Sequence, residues 1–295
     1  MKFIHTALAA ATLAIAAPAF AGLVPAGSGD SEIFLVMYDD NKQVSYTFDL
    51  GVTSKTFRLA ADITRPTGTI SPTTGVASGT DGYSRSWAFD GAAGGEFDKF
   101  MGALGGDTSA VRWFVAGADG LGSAQLNQRS ILTTVSNGAS TSGMSNQAIT
   151  NAAGTFDAYA IVVNFSGDEA MLGDTGMNGA AFGSIALGNY AMTPNDSANF
   201  LGNDGAGQYN FTTDNGLGES SQFVYFGRSS TRAAEAPVKD LFNNDQNIGL
   251  FSIAQPVQGQ YALQYNLAAV PEPGTYALLI AGLALVGAAA RRRKA

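Results

Sequence analysis

Two uncharged apolar segments, one near each end, confine any water-soluble fold of this 295-residue chain to the stretch between them. At the front, Lys2 and the amino terminus supply positive charge, and Ala7–Ala17 forms a run rich in alanine and leucine. Pro18 breaks that run, and Ala19-Phe20-Ala21 is a small-x-small sequence followed by Gly22. Residues 1–21 therefore read as a secretory signal peptide, a signal helix removed by cleavage between Ala21 and Gly22. An apolar run of about a dozen residues falls short of the roughly 20 that span a bilayer core.

The other end, residues 270–295, has three ordered parts. Val270-Pro271-Glu272-Pro273 comes first, then the uncharged run Gly274–Ala290, then Arg291-Arg292-Arg293-Lys294. As a helix, 274–290 would be about 25 Å long at 1.5 Å per residue, enough for a short transmembrane helix. The four consecutive cations should stop transfer and stay on the cytoplasmic side. Four adjacent cations also make a buried core helix a poor reading, and a plain single-span anchor is the simplest one. The details go further: Pro271-Glu272-Pro273, the alanine/leucine span Tyr276–Ala290 and the terminal arginine run together resemble the PEP-CTERM sorting signal of Gram-negative bacteria. The resemblance implies exosortase as a processing partner, after delivery by the secretion machinery and transient anchoring in the inner membrane. It also implies a final place at the cell surface or in an extracellular matrix, in the setting of exopolysaccharide and biofilm. Two prolines favour an extended segment of the kind a protease groove accepts. The stretch Gly27–Gly51 resembles the first hairpin of many tailed proteins of this kind, and that likeness implies no activity.

The ends carry five of the 16 basic residues and one of the 24 acidic ones, so the body between them is near −12 in net charge. Such a body argues against nucleic acid and anionic lipid as partners of its surface as a whole. The chain has no cysteine, and its one histidine, His5, lies in the leader. A disulfide, a thiolate nucleophile, a Cys- or His-ligated zinc and a His general base are thereby excluded from the mature protein.

The body, residues 22–269, reads as β-rich. Val44, Tyr46, Phe48 and Leu50 alternate with polar residues, as do Tyr261, Leu263, Tyr265 and Leu267, each pattern giving a strand with one buried face. Ile33–Tyr38 is a continuous apolar run, with Asp39-Asp40-Asn41 as the turn between it and the next strand. Further strand candidates are 85–89, 111–116, 130–134, 208–212, 222–226 and 248–253. Glycine is 37 of the 295 residues, and several sit in Asp-Gly or Asn-Gly pairs that suit tight turns. The expectation is an antiparallel β-sandwich-like domain with one or two short helices. Phe97, Phe100, Met101 and Leu104 have helical spacing, ended by Gly105-Gly106. Residues 145–165 suit a helix in their first half, while Tyr159–Phe165 alone suits a strand. Residues 167–220 read as long loops.

Chemistry is sparsely signalled. Five glutamates, Glu32, Glu96, Glu169, Glu219 and Glu235, show no spacing typical of a carboxylate-dependent glycoside hydrolase. Calcium is the ion that the available oxygen ligands would suit, at Asn203-Asp204-Gly205, at Asp168 with Asp174, or at Asn243-Asn244-Asp245; none matches an EF-hand, and turn formation explains them equally. No cofactor is expected. Trp87, Trp113, Tyr209, Tyr225, Tyr261 and Tyr265 would suit sugar stacking if exposed, and core packing if not. The reading that follows is a non-enzymatic exported surface or matrix protein. A polysaccharide-binding module or adhesin is the alternative, with a glycoside hydrolase behind it.

Overall fold

The computed structural model describes residues 27, 31–57, 83–89, 91–120, 129–136, 138–165, 179–188, 190–192, 214–242, 247–257 and 260–267. Along the chain they form β1 (Glu32–Asp39), β2 (Val44–Thr53), α1 (Ser54–Phe57), β3 (Tyr83–Ala88), α2 (Glu96–Leu104), β4 (Arg112–Asp119) and β5 (Ser130–Val135). After these come α3 (Asn146–Phe165), β6 (Ala180–Ser184), β7 (Asn215–Gly216), β8 (Ser220–Gly227), β9 (Val238–Leu241), β10 (Leu250–Val257) and β11 (Gln260–Leu267). The strands make one antiparallel sheet in the order β3-β11-β10-β8-β5-β4-β1-β2-β6, with β7 added beside β4 and β9 beside β8.

The sheet curls until its ends meet. Trp87 of β3 donates its indole N–H to the carbonyl of Leu50 in β2 at 2.8 Å, although six strands separate them in the order. Phe89 stacks edge-on against Tyr46 and Phe48 of the same strand, with centroids 5.7 Å away from each. Two halves of a continuous sheet thus face one another, which gives the sandwich-like layering without breaking the ladder. The protein is mainly β, as the alternation and turn pairs predict.

The core has two parts, one on each face of the sheet. Inside the curl lie Ile33, Leu35, Met37, Tyr46, Phe48, Trp113, Phe223, Phe251, Leu263 and Tyr265, closed over by Phe57 of α1 and by Phe97, Phe100 and Leu104 of α2. On the other face lie Phe34, Val36, Tyr38, Phe114, Ala116, Val224 and Phe226, covered by Ile149, Ala152, Ala153, Phe156 and Tyr159 of α3. Strands β1, β4 and β8 are therefore buried on both faces, and this is why Ile33–Tyr38 is apolar throughout rather than alternating.

Three expectations are corrected. The polar half of β2 is not a solvent face: Ser45, Thr47 and Asp49 are buried too. The Tyr159 hydroxyl of α3 reaches the Thr47 hydroxyl, and the Ser45 hydroxyl accepts from the Ala191 amide at 3.1 Å. The stretch 159–165 is helix, not strand, and α3 runs through Phe165. Ile149, Ala152, Ala153, Phe156 and Tyr159 share one helical face against the sheet, and that packing outweighs the β preference of branched residues. Within 167–220, read as loops, β6 pairs with β2 and β7 with β4. The candidate strand 208–212, the signal helix and the transmembrane helix over 274–290 lie outside the described residues. Among the described residues, no helix is long and apolar enough to cross a membrane.

Candidate functional site

Aromatic side chains that might have formed a sugar-stacking row are mostly core. Trp113 is fully buried, with its N–H bonded to the Gly216 carbonyl at 2.8 Å, and Trp87, Tyr225 and Tyr265 are buried as well. Tyr261 is half-buried against Phe97, 5.7 Å between centroids, and Tyr209 lies outside the described residues.

The described glutamates hold structure together. Glu96, buried, pairs with Lys99 at 2.8 Å and accepts the amide of Phe182 in edge strand β6 at 2.7 Å. Glu219 accepts the Gly216 amide at 2.6 Å, and Glu235 pairs with Arg232 at 3.0 Å while taking the Ser230 hydroxyl. Glu32, half-buried at the start of β1, neighbours the fully buried Asp49. Burial, and then the Glu32 charge, push the Asp49 carboxyl up to about 8 against a lowering by its bond from the Gly51 amide at 2.7 Å. Glu169 and all three candidate calcium loops lie outside the described residues. Among the described residues, no group of three or more His, Cys, Asp and Glu could hold a metal ion.

A polar network unsignalled in the sequence fixes the start of α3. Asn146, fully buried, donates to the carbonyl of Arg232 at 2.9 Å and accepts the Ser229 amide at 3.0 Å. The Asn146 and Gln147 amides, which the helix cannot satisfy itself, bond the carbonyls of Glu235 and Ala233, both at 2.9 Å. Arg228, also buried, donates to the carbonyls of Asn146, Ser230 and Thr231 at 3.2–3.3 Å. Nothing in the spacing of these residues announces the network, because its members lie some 80 positions apart.

The feature with a functional address is the point where the chain leaves the sheet. β11 ends at Leu267, buried and paired with Tyr83 of β3, while Asn266 pairs with Leu250 at the start of β10. Registers followed across the sheet put Ser31, Thr53, Ser130 and Gly227 at this same end. The body thus begins and finishes at one end of its sheet. The opposite end holds the 40–43 turn, Tyr190 bonded to Asp40, Arg112, Asp107, Asp214 and Glu219. There burial, with the charges of Asp214 and Asp40, raises the Tyr38 hydroxyl above its ordinary range.

A β-rich body that hands its chain straight to a terminal apolar and basic segment defines an exported protein with a sorting tail. A model of the PEP-CTERM protein-sorting motif matches residues 269–294, starting two positions after β11 ends. The chain therefore carries that sorting motif, which implies export, a membrane-anchored precursor and processing by exosortase. No curated protein and no solved structure matches the chain. Val270, Pro271, Glu272 and Pro273, with Arg291, Arg292, Arg293 and Lys294, all fall inside the matched range but outside the described residues, as do Ala19, Ala21 and Gly22.

Proposed function

We propose that this chain is a non-enzymatic surface or extracellular-matrix protein of an exopolysaccharide-producing bacterium, anchored by its tail during export and then trimmed. The observation that carries the reading is the sorting motif at 269–294 joined to the body with almost no linker. In this reading the leader exports the chain, span 274–290 halts it with Arg291–Lys294 inside, and cleavage near Pro271-Glu272-Pro273 removes four cations and the span together. What remains is a body of net charge about −12 with neither signal attached. The structural roles of Glu96, Glu219 and Glu235 support a body without catalysis, since each is committed to holding backbone or a cation in place.

Intact-mass measurement on protein recovered from the producing cells tests this. The mature form should start at Gly22 and end close to Pro271, and Glu272→Ala or the double change of Pro271 and Pro273 to Ala should leave an uncleaved, membrane-bound form. Secreted protein still carrying Tyr276–Ala295, or normal processing of the motif variants, would return the tail to a plain anchor.

A polysaccharide-binding role is the second reading, favoured by one place. The outer face of β3 and β11 forms a shallow polar recess that carries the side chains of Ser84, Ser86, Gln264 and Asn266. Its hydroxyls and amides suit sugar hydroxyls. Gln264→Ala combined with Asn266→Ala should release the mature protein from pelleted exopolysaccharide; unchanged pelleting would remove this reading.

A further inference from the structure

We infer that, before cleavage, the body stands on the bilayer surface with one chosen end down: the sheet end where β11 finishes faces the membrane, and the acidic end faces away. The inference rests on the tail being a membrane anchor in the precursor. Its first ground is tether length. Six residues lie between Leu267 and Gly274, the first residue of the apolar run, so over those seven steps the packed end of β11 lies at most about 25 Å from the start of the span. An eight-residue strand is itself about 26 Å long, so the far end of the sheet sits at a full strand's length beyond that limit when the near end is down.

The second ground is where charges fall, since exposed apolar side chains occur at both ends: Ile248 and Leu250 by the strand start that pairs with Asn266, Ile185 and Leu187 at the far end. The exposed cations Arg232 and Lys239 lie at or next to the near end, in the loop after β8 and on β9 beside Phe226. Arg232 is paired with Glu235, and the far end carries exposed Asp40, Asp107 and Glu219 and half-buried Asp214 against exposed Lys42 and Arg112, so the far end is the more negative. An anionic bilayer would repel the far end more than the near one. The third ground is the leader: Ser31 is also at the near end, bonded through its carbonyl to the Ser54 amide, so both membrane-linked termini leave the body on one side. A folded body can therefore be held by leader and tail together without either crossing it.

The absence of native cysteine makes the test clean. Single cysteines placed as Ile248→Cys and Leu250→Cys, and at the far end as Ile185→Cys and Leu187→Cys, would carry an environment-sensitive fluorophore. All four positions are exposed, so the fold should tolerate them. The full precursor is reconstituted in phosphatidylethanolamine–phosphatidylglycerol vesicles containing spin-labelled lipid. Quenching at 248 and 250 should exceed that at 185 and 187 at least twofold, and the excess should vanish when a flexible linker of about 15 residues is inserted after Leu267. Equal quenching at the two ends, or more at the far end, overturns the orientation. Extraction of the precursor by alkaline carbonate overturns the anchor reading itself, and the orientation falls with it.

Discussion

Asp49 shows what a single carboxylate does when an alternating strand is covered on both faces. Its Oδ1 accepts the Gly51 amide, but Oδ2 has no hydrogen-bond donor, and the raised pKa of about 8 follows from burial and the neighbouring Glu32. In the unfolded chain the group titrates near its ordinary 3.8. Below that pH both states are protonated and Asp49 has no effect. Above it the unfolded chain ionises freely while the fold resists, so stability falls from about pH 4 to about pH 8 and stays low beyond. Asp49→Asn keeps the acceptor and removes the charge. It should raise the melting temperature at about pH 9, by an amount on the order of a few kcal/mol of stability at most, and much less at about pH 5. A gain of the same size at both pH values would refute the assignment. At Gly249 the constraint is space: a Cβ built there would lie 1.9 Å from the Tyr265 hydroxyl. Gly249→Ala must displace a fully buried ring and should cost roughly 2–4 kcal/mol, read from denaturant unfolding.

At the scale of elements, the helices do more than cover apolar faces. The Phe97–Leu104 spacing gives α2 its buried side, and Gly105, at φ 61°, closes it with a left-handed cap. Lys42, from the β1–β2 turn, reaches the Leu104 carbonyl and so places a cation at the negative end of the helix. Glu96, at the helix start, caps the outward amide of Phe182 in the middle of β6. An open edge strand offers such amides to any passing chain, and a charged side chain seated on it blocks that pairing. Glu96→Ala should lower stability by about 1–3 kcal/mol, because the Phe182 amide loses its partner, and should increase self-association in light scattering at matched temperature. A stable, monodisperse variant would show that α2 alone protects the edge. The start of α3 behaves likewise: the Asn146 side chain stitches the 229–232 segment to the helix. Asn146→Ala should therefore expose that segment to limited proteolysis while α2 and its packing stay intact.

For the whole molecule, one sheet separates two cores, so neither can be lost alone. Strands β1, β4 and β8 contribute alternate residues to both. Thermal unfolding of the mature protein should be a single transition, with near- and far-ultraviolet circular dichroism coinciding. Phe156→Ala under α3 and Phe100→Ala inside the curl should each lower that same melting temperature, by the equivalent of roughly 3–5 kcal/mol. Two separated transitions would mean that the faces fold independently. The far-ultraviolet spectrum should be mainly β. Thiol reagents and zinc should leave the melting curve of the body unchanged, since residues 22–295 contain neither cysteine nor histidine.

What the sequence alone determined was local or compositional. The period-two runs of β2 and β11, the helical spacing of α2 and the order of proline motif, apolar run and cations at 270–294 each depend on neighbours along the chain, and all are legible there. Composition likewise ruled out thiol and imidazole chemistry without any structure. The tertiary structure decided everything that depends on distant residues. The polar half of β2 became interior because α3 arrives a hundred residues later to cover it. Tyr159, where a strand-like stretch of sequence begins, became helix because its ring completes the face that Ile149, Ala152, Ala153 and Phe156 turn to the sheet. Glu96, which is not part of the Phe97-Phe100-Met101-Leu104 face, was buried by its bond to the edge of β6. The closure of the sheet through Trp87 and Leu50, and the exit of both termini from one end, follow from strand order. Strand order reflects the joint burial of two faces, and no single segment contains it.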